Sequence, residues 1–298
     1  MGYNIVVLVK QVPDTKNITG KAMTESGTVN RAGMERIFNP EDLNALEMAL
    51  EVKERHGGEI TVITMGPPFA SEVLREALYR GADKVALLSD RRFGVADTLA
   101  TSYTLSQAIT AKTPEYDLIF CGRQAIDGDT AQVGPQVAEK LGIPQVTYGE
   151  CIERLSGDEI QIRREIGGGY EQVVVKLPLL VTVTGEANTP RPPRAKLMLK
   201  YKNASTKLDL PELREEFPEC EQEAELEDYL KSRGLLIPLW TPEDIGAELD
   251  RIGLVGSPTK VKRTFSVVLT ATASKEVEPT DVGIREMIDE LIEDHILG

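Results

Sequence analysis

Residues 121–148 read CGRQAIDGDTAQVGPQVAEKLGIPQVTY, and the fold is decided here. An apolar run over 116–121 feeds a loop crowded with Gly122, Asp127, Gly128, Asp129 and Thr130. An amphipathic helical pattern follows and stops at Gly142, ahead of Pro144. Strand, small-residue loop and helix start in succession turn backbone N–H groups toward an anion such as a nucleotide phosphate. Pro135 lacks a donor and disturbs a helix interior, which moves the expected helix start from Thr130 toward Gly134. Either start leaves unpaired N–H groups over 129–134. Alone, the stretch supports a nucleotide site and nothing narrower.

Working outward, apolar strand patterns over 5–9, 60–65, 85–88 and 118–121 alternate with helical patterns over 41–55, 71–79, 97–111 and 132–141. Such alternation predicts an α/β fold, a mostly parallel sheet with helices on both faces. Asn39-Pro40-Glu41-Asp42 supplies a cap, a first-turn proline and acids against the helix dipole, and Gly57-Gly58 ends that helix. Residues 28–38 read as a short hairpin inserted after the first strand. Beyond Tyr148, residues 151–155, 159–166 and 171–177 read as short antiparallel strands with turns at 156–158 and 167–169, and 179–184 as a return to the main sheet. Three prolines keep 188–194 out of regular structure. The acid-rich run 209–233 reads as a solvated face or linker. Residues 283–296 form an amphipathic helix with Ile284, Met287, Ile288, Leu291 and Ile292 on one side.

Forty-eight acidic against 34 basic residues give a net charge of -14, which repels polyanions and argues against nucleic acid or an anionic membrane as partner. A bound phosphate must then be attracted locally, by helix N-termini and a few placed cations. No apolar run approaches the ~20 residues that span a bilayer. Residues 1–10 lack the pattern of a signal peptide and read as a first buried strand, so a cytoplasmic protein is expected. Three separated cysteines without a CxxC offer neither a disulfide framework nor a metal site.

The usual dinucleotide and P-loop fingerprints are missing. Candidate ligand loops instead leave the carboxyl ends of strands, where open α/β sheets bind their ligands. The first is 9–15, VKQVPDT. Another is 89–98, SDRRFGVADT, where Arg91 and Arg92 suit phosphate and Asp97 caps a helix carrying Thr98, Thr101 and Ser102 at i, i+3 and i+4. A capped surface helix with scattered threonines is the plain alternative. His56 and His295 stand away from these loops, and no Ser/His/Asp set, HExxH or Cys–His pair is visible, so any reaction belongs to a bound cofactor.

VKQVPDT (9–15), NPEDLNALEMAL (39–50), GRQAIDGDTAQVGPQVAEKLGIPQVTY (122–148), PLLVTVTGEANTPRPP (178–193) and GSPTKV (256–261) together resemble the beta subunit of electron-transfer flavoproteins. The resemblance spans most of the chain. It implies an adenine nucleotide alpha hydrolase-like α/β domain with an antiparallel β extension and a C-terminal arm. It also implies a heterodimer with an alpha subunit that supplies a second, mobile flavin domain. The division it suggests is 1–200 for the FAD- or AMP-binding domain and 201–298 for the acidic segment and the arm on the alpha subunit.

In that family the beta pocket holds AMP in simple carriers and FAD in electron-bifurcating members, and residues 89–102 are similar to the bifurcating pattern. On this resemblance the adenosine end lies against Val9, Lys10, Gln11, Val12, Asn39, Met65, Gly66 and the loop Gly122, Arg123, Gln124, Asp127, Gly128, Asp129 and Thr130. Asp97, Thr98, Leu99, Ala100, Thr101 and Ser102, with Gln132, Val133, Gly134 and Pro135, hold pyrophosphate and ribitol, and Asp90 belongs to the cofactor-binding set. Arg91 sits toward the isoalloxazine ring. Thr15 replaces the aromatic of simple carriers, and Val95 stands where Gly or Ala is expected. NADH is the implied hydride donor, ferredoxin or flavodoxin the low-potential acceptor, and a partner dehydrogenase or quinone-linked oxidoreductase the other outlet. Residues 190–202 resemble the loop that docks dehydrogenases, with Leu197, Met198 and Leu199 as an apolar anchor. That loop packed on the alpha subunit is an equal alternative. The rivals are the AMP-holding simple carrier and a non-redox adenine-nucleotide module, whose SGGxDS or HxGH motifs are missing.

Overall fold

The computed structural model describes residues 2–14, 35–220, 222–260 and 275–293. Their contacts form two compact units that divide after Val261. Residues 201–260 belong to the first unit.

In chain order the first unit runs β1 (Tyr3–Val9), β2 (Gln11–Pro13), β3 (Arg36–Phe38), α1 (Pro40–His56), β4 (Gly58–Met65), α2 (Ser71–Arg80) and β5 (Lys84–Leu88). It continues with α3 (Thr98–Lys112), β6 (Leu118–Gly122), α4 (Val133–Leu141), β7 (Gln145–Ser156), β8 (Glu159–Glu165), β9 (Tyr170–Lys176) and β10 (Leu179–Val183). The last elements are α5 (Ala195–Tyr201), α6 (Leu210–Leu213), α7 (Glu223–Ser232) and β11 (Leu239–Trp240). Nine strands make one sheet in the order β11-β5-β4-β1-β6-β10-β7-β8-β9. The chain leaves β1 toward β4 on one side and later returns to β6 on the other, so β1 and β6 flank the point where strand order reverses. Ligands of open α/β sheets bind at such a point.

Alternate side chains of each strand serve opposite faces. Ile5, Val7, Ile60, Val62, Leu118 and Phe120 join Leu46, Ala49, Leu74 and Ala77 beneath α1 and α2, while Val6, Leu8, Ile63, Ile119 and Leu180 join Tyr103, Ile109, Val137 and Ala138 beneath α3 and α4. Helix α3 is buried although rich in hydroxyls, because Thr104 and Ser106 donate to the carbonyls of Ala100 and Tyr103 and so carry no unmet donor inward.

The sheet extends further than the apolar runs suggest. The first half of β7 pairs in parallel with β10, and only its second half turns into the antiparallel β8–β9 ribbon. Among the described residues, β9 forms an edge with Tyr170 and Val174 exposed. Of the hairpin expected over 28–38, residues 28–34 lie outside the described set; the described end, β3, pairs with β2 of the first loop. The acid-rich run is no linker. Leu210, Phe217, Cys220, Leu226 and Leu230 build a small core of their own, with the acids turned outward. Residues 188–194 are irregular, but Ala195–Tyr201 is a helix where a loop was expected.

The second unit contains α8 (Asp281–Glu293), with Ile284, Met287, Ile288 and Ile292 exposed along it, and Thr280 Oγ1 accepts from Gly283 N at its start. The expected helix end at 294–296 lies outside the described residues. No described helix is long and apolar enough to cross a membrane.

Candidate functional site

The first turn of α1 organises the carboxyl ends of β1 and β6. Pro40 starts the helix with preset φ, and the acids behind it face the open N-terminal dipole. Their targets are backbone groups of another loop. Glu41 accepts from Gln124 N at 2.9 Å and pairs with the Arg123 guanidinium at 2.8 Å. Asn39, fully buried, donates to Gln124 O and accepts from Ile126 N. Asp42 accepts from Lys10 N and Gly122 N. Lys10 Nζ then closes on Asp127 at 2.7 Å. Loops 9–12 and 122–127 are thereby held together across the reversal point. Gly122 must be glycine here, since a Cβ would lie 2.5 Å from Asp42 Oδ1 and 2.8 Å from Asp42 N.

Beyond Asp127 the backbone prepares the start of α4. Asp129 and Ala131 hold left-handed φ values of 53° and 52°, and Gln132 returns to the right-handed region, an alternation that cups successive N–H groups around an anion. No side chain caps α4. Gly134 seats it on the sheet, and a Cβ there would meet Cys121 Sγ at 2.7 Å and Thr182 Cγ2 at 2.8 Å. The helix begins at Val133, near the later of the two expected starts. Its first turn is tied to α3: Thr98 Oγ1 donates to Gln132 Oε1 at 2.8 Å and Ser102 Oγ to Gln136 Oε1 at 3.0 Å.

The start of α3 is already occupied. Asp97 Oδ1 accepts from Ala100 N, and its Oδ2 accepts from Thr259 N and Oγ1, while Asp97 N donates to Ser257 Oγ. Partial burial pushes the Asp97 pKa up, but the bonds from Thr259, Ala100 and Leu99 outweigh it and hold the carboxyl below its usual range. Thr101 and the exposed Leu99 stand on the first turn, whereas Ala100 and Ser102 are buried. The phosphate role expected of both arginines divides. Arg92 is held by Asp90 and by Glu243, 151 residues later, and its bonds lower the pKa of both acids. Arg91 is exposed and has no ion pair among the described residues. Asp90 folds back to accept from Arg92 N and cap the 3₁₀ turn Arg91–Phe93. Val95 adopts φ 59°, a left-handed conformation costly for a β-branched residue.

Met65 ends β4 and Gly66 donates to Leu88 O, at the same sheet edge. Of four buried side-chain atoms without a hydrogen-bond partner among the described residues, three lie at carboxyl ends: Gln11 Oε1, Thr64 Oγ1 and Thr184 Oγ1. Buried polar atoms are normally paired, so the edge has unspent capacity for a polar ligand or water. Leu197, Met198 and Leu199 belong to a different surface. The preceding segment is pinned to α1 through Asn44 with Asn188 and Arg191 with Glu47 and Glu54, leaving Met198 and Leu199 exposed on α5. A cavity of about 540 Å³ lies at the opposite, amino-terminal edge beside Asn4, Glu59, Lys84 and Tyr116, away from these loops.

Sequence reading missed Glu41 and Asp42 as loop clamps, Gln136 as a bridge, and Ser257 and Thr259 as partners of Asp97. The acids looked like ordinary dipole partners, and Gln136, Ser257 and Thr259 stood within quoted motifs with nothing local to name their partners. The residues fit a nucleotide: an uncapped helix start for phosphate, unpaired buried oxygens at the strand ends and one available guanidinium. The fold defines a doubly wound α/β protein with this crevice at its point of strand-order reversal.

The electron transfer flavoprotein domain matches residues 26–212. The chain is 42% identical to electron transfer flavoprotein subunit beta of Clostridium acetobutylicum, covering 99% of this chain and 100% of the relative. It is 41% identical to acryloyl-CoA reductase electron transfer subunit gamma of Anaerotignum propionicum and 40% identical to caffeyl-CoA reductase-Etf complex subunit CarD of Acetobacterium woodii, each over 98% of this chain and 99% of the relative. The chain belongs to the electron transfer flavoprotein beta-subunit family.

Proposed function

We propose that this chain binds FAD in the crevice between β1 and β6 as the beta subunit of an electron-bifurcating electron transfer flavoprotein. Held there, FAD would supply hydride chemistry with NADH as donor and one-electron delivery to a low-potential acceptor such as ferredoxin or flavodoxin and to the alpha-subunit flavin, which would serve a partner dehydrogenase or quinone-linked oxidoreductase. The observation that carries the reading is the uncapped start of α4 beside loops clamped across the reversal point. Backbone donors there are preorganised, so they need no net positive charge to attract a phosphate. Asn39, Glu41 and Asp42 keep the 122–127 loop rigid, and the Thr98–Gln132 and Ser102–Gln136 bonds hold the two helix starts in register. Arg91 is available to stabilise negative charge on a bound cofactor. Membership beside relatives named for acryloyl-CoA and caffeyl-CoA reductase complexes agrees with a redox assembly. Exposed Met198 and Leu199 suit contact with a partner protein, and a cytoplasmic location is consistent with this chemistry.

One observation favours AMP instead. Asp97 occupies the start of α3, so of the two tied helix starts, α3 and α4, only that of α4 is uncapped, enough for one phosphate group. Flavin and AMP released by denaturing the purified alpha–beta complex separate the two. Two FAD per heterodimer supports bifurcation, and one FAD with one AMP supports the simple carrier. Release of neither from the beta subunit refutes both.

A further inference from the structure

Asp42 is 6% exposed, and both of its carboxylate oxygens are committed to backbone. Oδ2 accepts from Lys10 N at 2.8 Å and Oδ1 from Gly122 N at 2.9 Å. Those donors are the first residue past β1 and the last of β6, on either side of the reversal point. Two converging N–H groups call for two acceptors, which an ionised carboxylate provides. A protonated acid turns an O–H, and an asparagine an NH₂, toward one of them. A buried charge is costly unless its bonds require it, and neither helix initiation nor packing of α1 does.

We propose that Asp42 is a positioning residue for the nucleotide crevice: ionised, it fixes the spacing of the Lys10 and Gly122 backbones around the ligand, and protonated, it releases one of them and weakens binding. The inference rests on the nucleotide reading above. The charged and titratable neighbours are Lys10, whose ammonium also pairs with Asp127, the Glu41–Arg123 pair, and Cys121 on β6, whose thiol burial keeps protonated. Burial pushes the Asp42 pKa up to about 7, against the pull of bonds from Gly122, Asn39 and Lys10. The ligand favours the ionised form, so affinity falls as pH falls through that value.

The test uses the alpha–beta complex stripped of nucleotide and titrated with FAD and with AMP between pH 5.5 and 8.5. For wild type, the FAD dissociation constant rises about fivefold from pH 8 to pH 6, as a tenfold weaker protonated form requires. Asp42→Asn is about tenfold weaker than wild type at pH 8, and the gap closes by pH 6. Comparing variant with wild type at each pH cancels the titration of the AMP phosphate itself. If Asp42→Asn does not fold, the wild-type FAD titration decides by itself, and a dissociation constant unchanged between pH 8 and pH 6 overturns the inference. Binding of both probes within twofold of wild type at every pH by the folded variant overturns the inference and leaves the nucleotide reading intact. Wild type binding neither probe overturns both.

Discussion

Replacing Gly134 with alanine tests whether the seating of α4 on the sheet sets its anion site. The added Cβ would lie 2.7 Å from Cys121 Sγ and 2.8 Å from Thr182 Cγ2, both buried, against an ordinary contact of about 3.5–4 Å. Relief requires the first turn of α4 to rise by roughly 1 Å, because the strands beneath are packed on both faces. Overpacking of this kind costs about 1–3 kcal/mol, and the better helix propensity of alanine returns up to about 1 kcal/mol, leaving a net loss of about 1–2 kcal/mol. The displacement carries the N–H groups of Val133 and residue 134 with it, so phosphate binding weakens by more than stability does. Urea unfolding and FAD or AMP titration measure the two effects separately. A background of Cys121→Ala with Thr182→Ser removes both obstructing atoms and keeps the hydroxyl that accepts from Tyr148 N, so in it the alanine costs little. Stability within about 0.5 kcal/mol of wild type together with unchanged affinity would refute the reasoning.

Val95→Gly relieves a left-handed backbone and raises the unfolding free energy by about 1 kcal/mol at most, since glycine also loosens the unfolded chain. Asp97→Ala removes the α3 cap and the bonds to Thr259, lowering stability by about 1–2 kcal/mol in a denaturant titration at pH 7. Because its folded pKa is depressed, that contribution is present above the unfolded value near 4 and disappears as pH falls through the lower folded value, so the two proteins converge in acid. Arg191→Ala strands the buried Glu47 carboxylate and costs about 3 kcal/mol by thermal or urea unfolding; Arg191→Lys recovers only part, since it cannot make the bidentate pair.

Much of the fold was legible because each central strand is a short apolar run and each of α1 to α4 opens or closes on Pro, Asp or Gly. Local pattern suffices for such elements. It failed where a partner distant in sequence decides. The start of β7 looks like a loop after Pro144 until β10 lies beside it, and Ala195–Tyr201 becomes helical on a segment pinned by Arg191 to α1. The acidic run hid a small core because its few apolar residues are spaced among eight glutamates. In the site, loop positions followed from strand ends, but occupancy did not. That Glu243 holds Arg92 and Thr259 holds Asp97 depends on residues more than 150 positions away, and one acid in a helix's first turn looks the same whether it faces water or two buried N–H groups.

The outermost strand of the sheet, β9, carries a row of main-chain donors and acceptors with no strand beyond it among the described residues, flanked by exposed Tyr170 and Val174. Such a border invites a neighbouring copy to add on, the first step of irreversible clumping. Recombinant yield of this polypeptide made by itself should therefore drop with concentration, and a lysine introduced at Val174 should recover it.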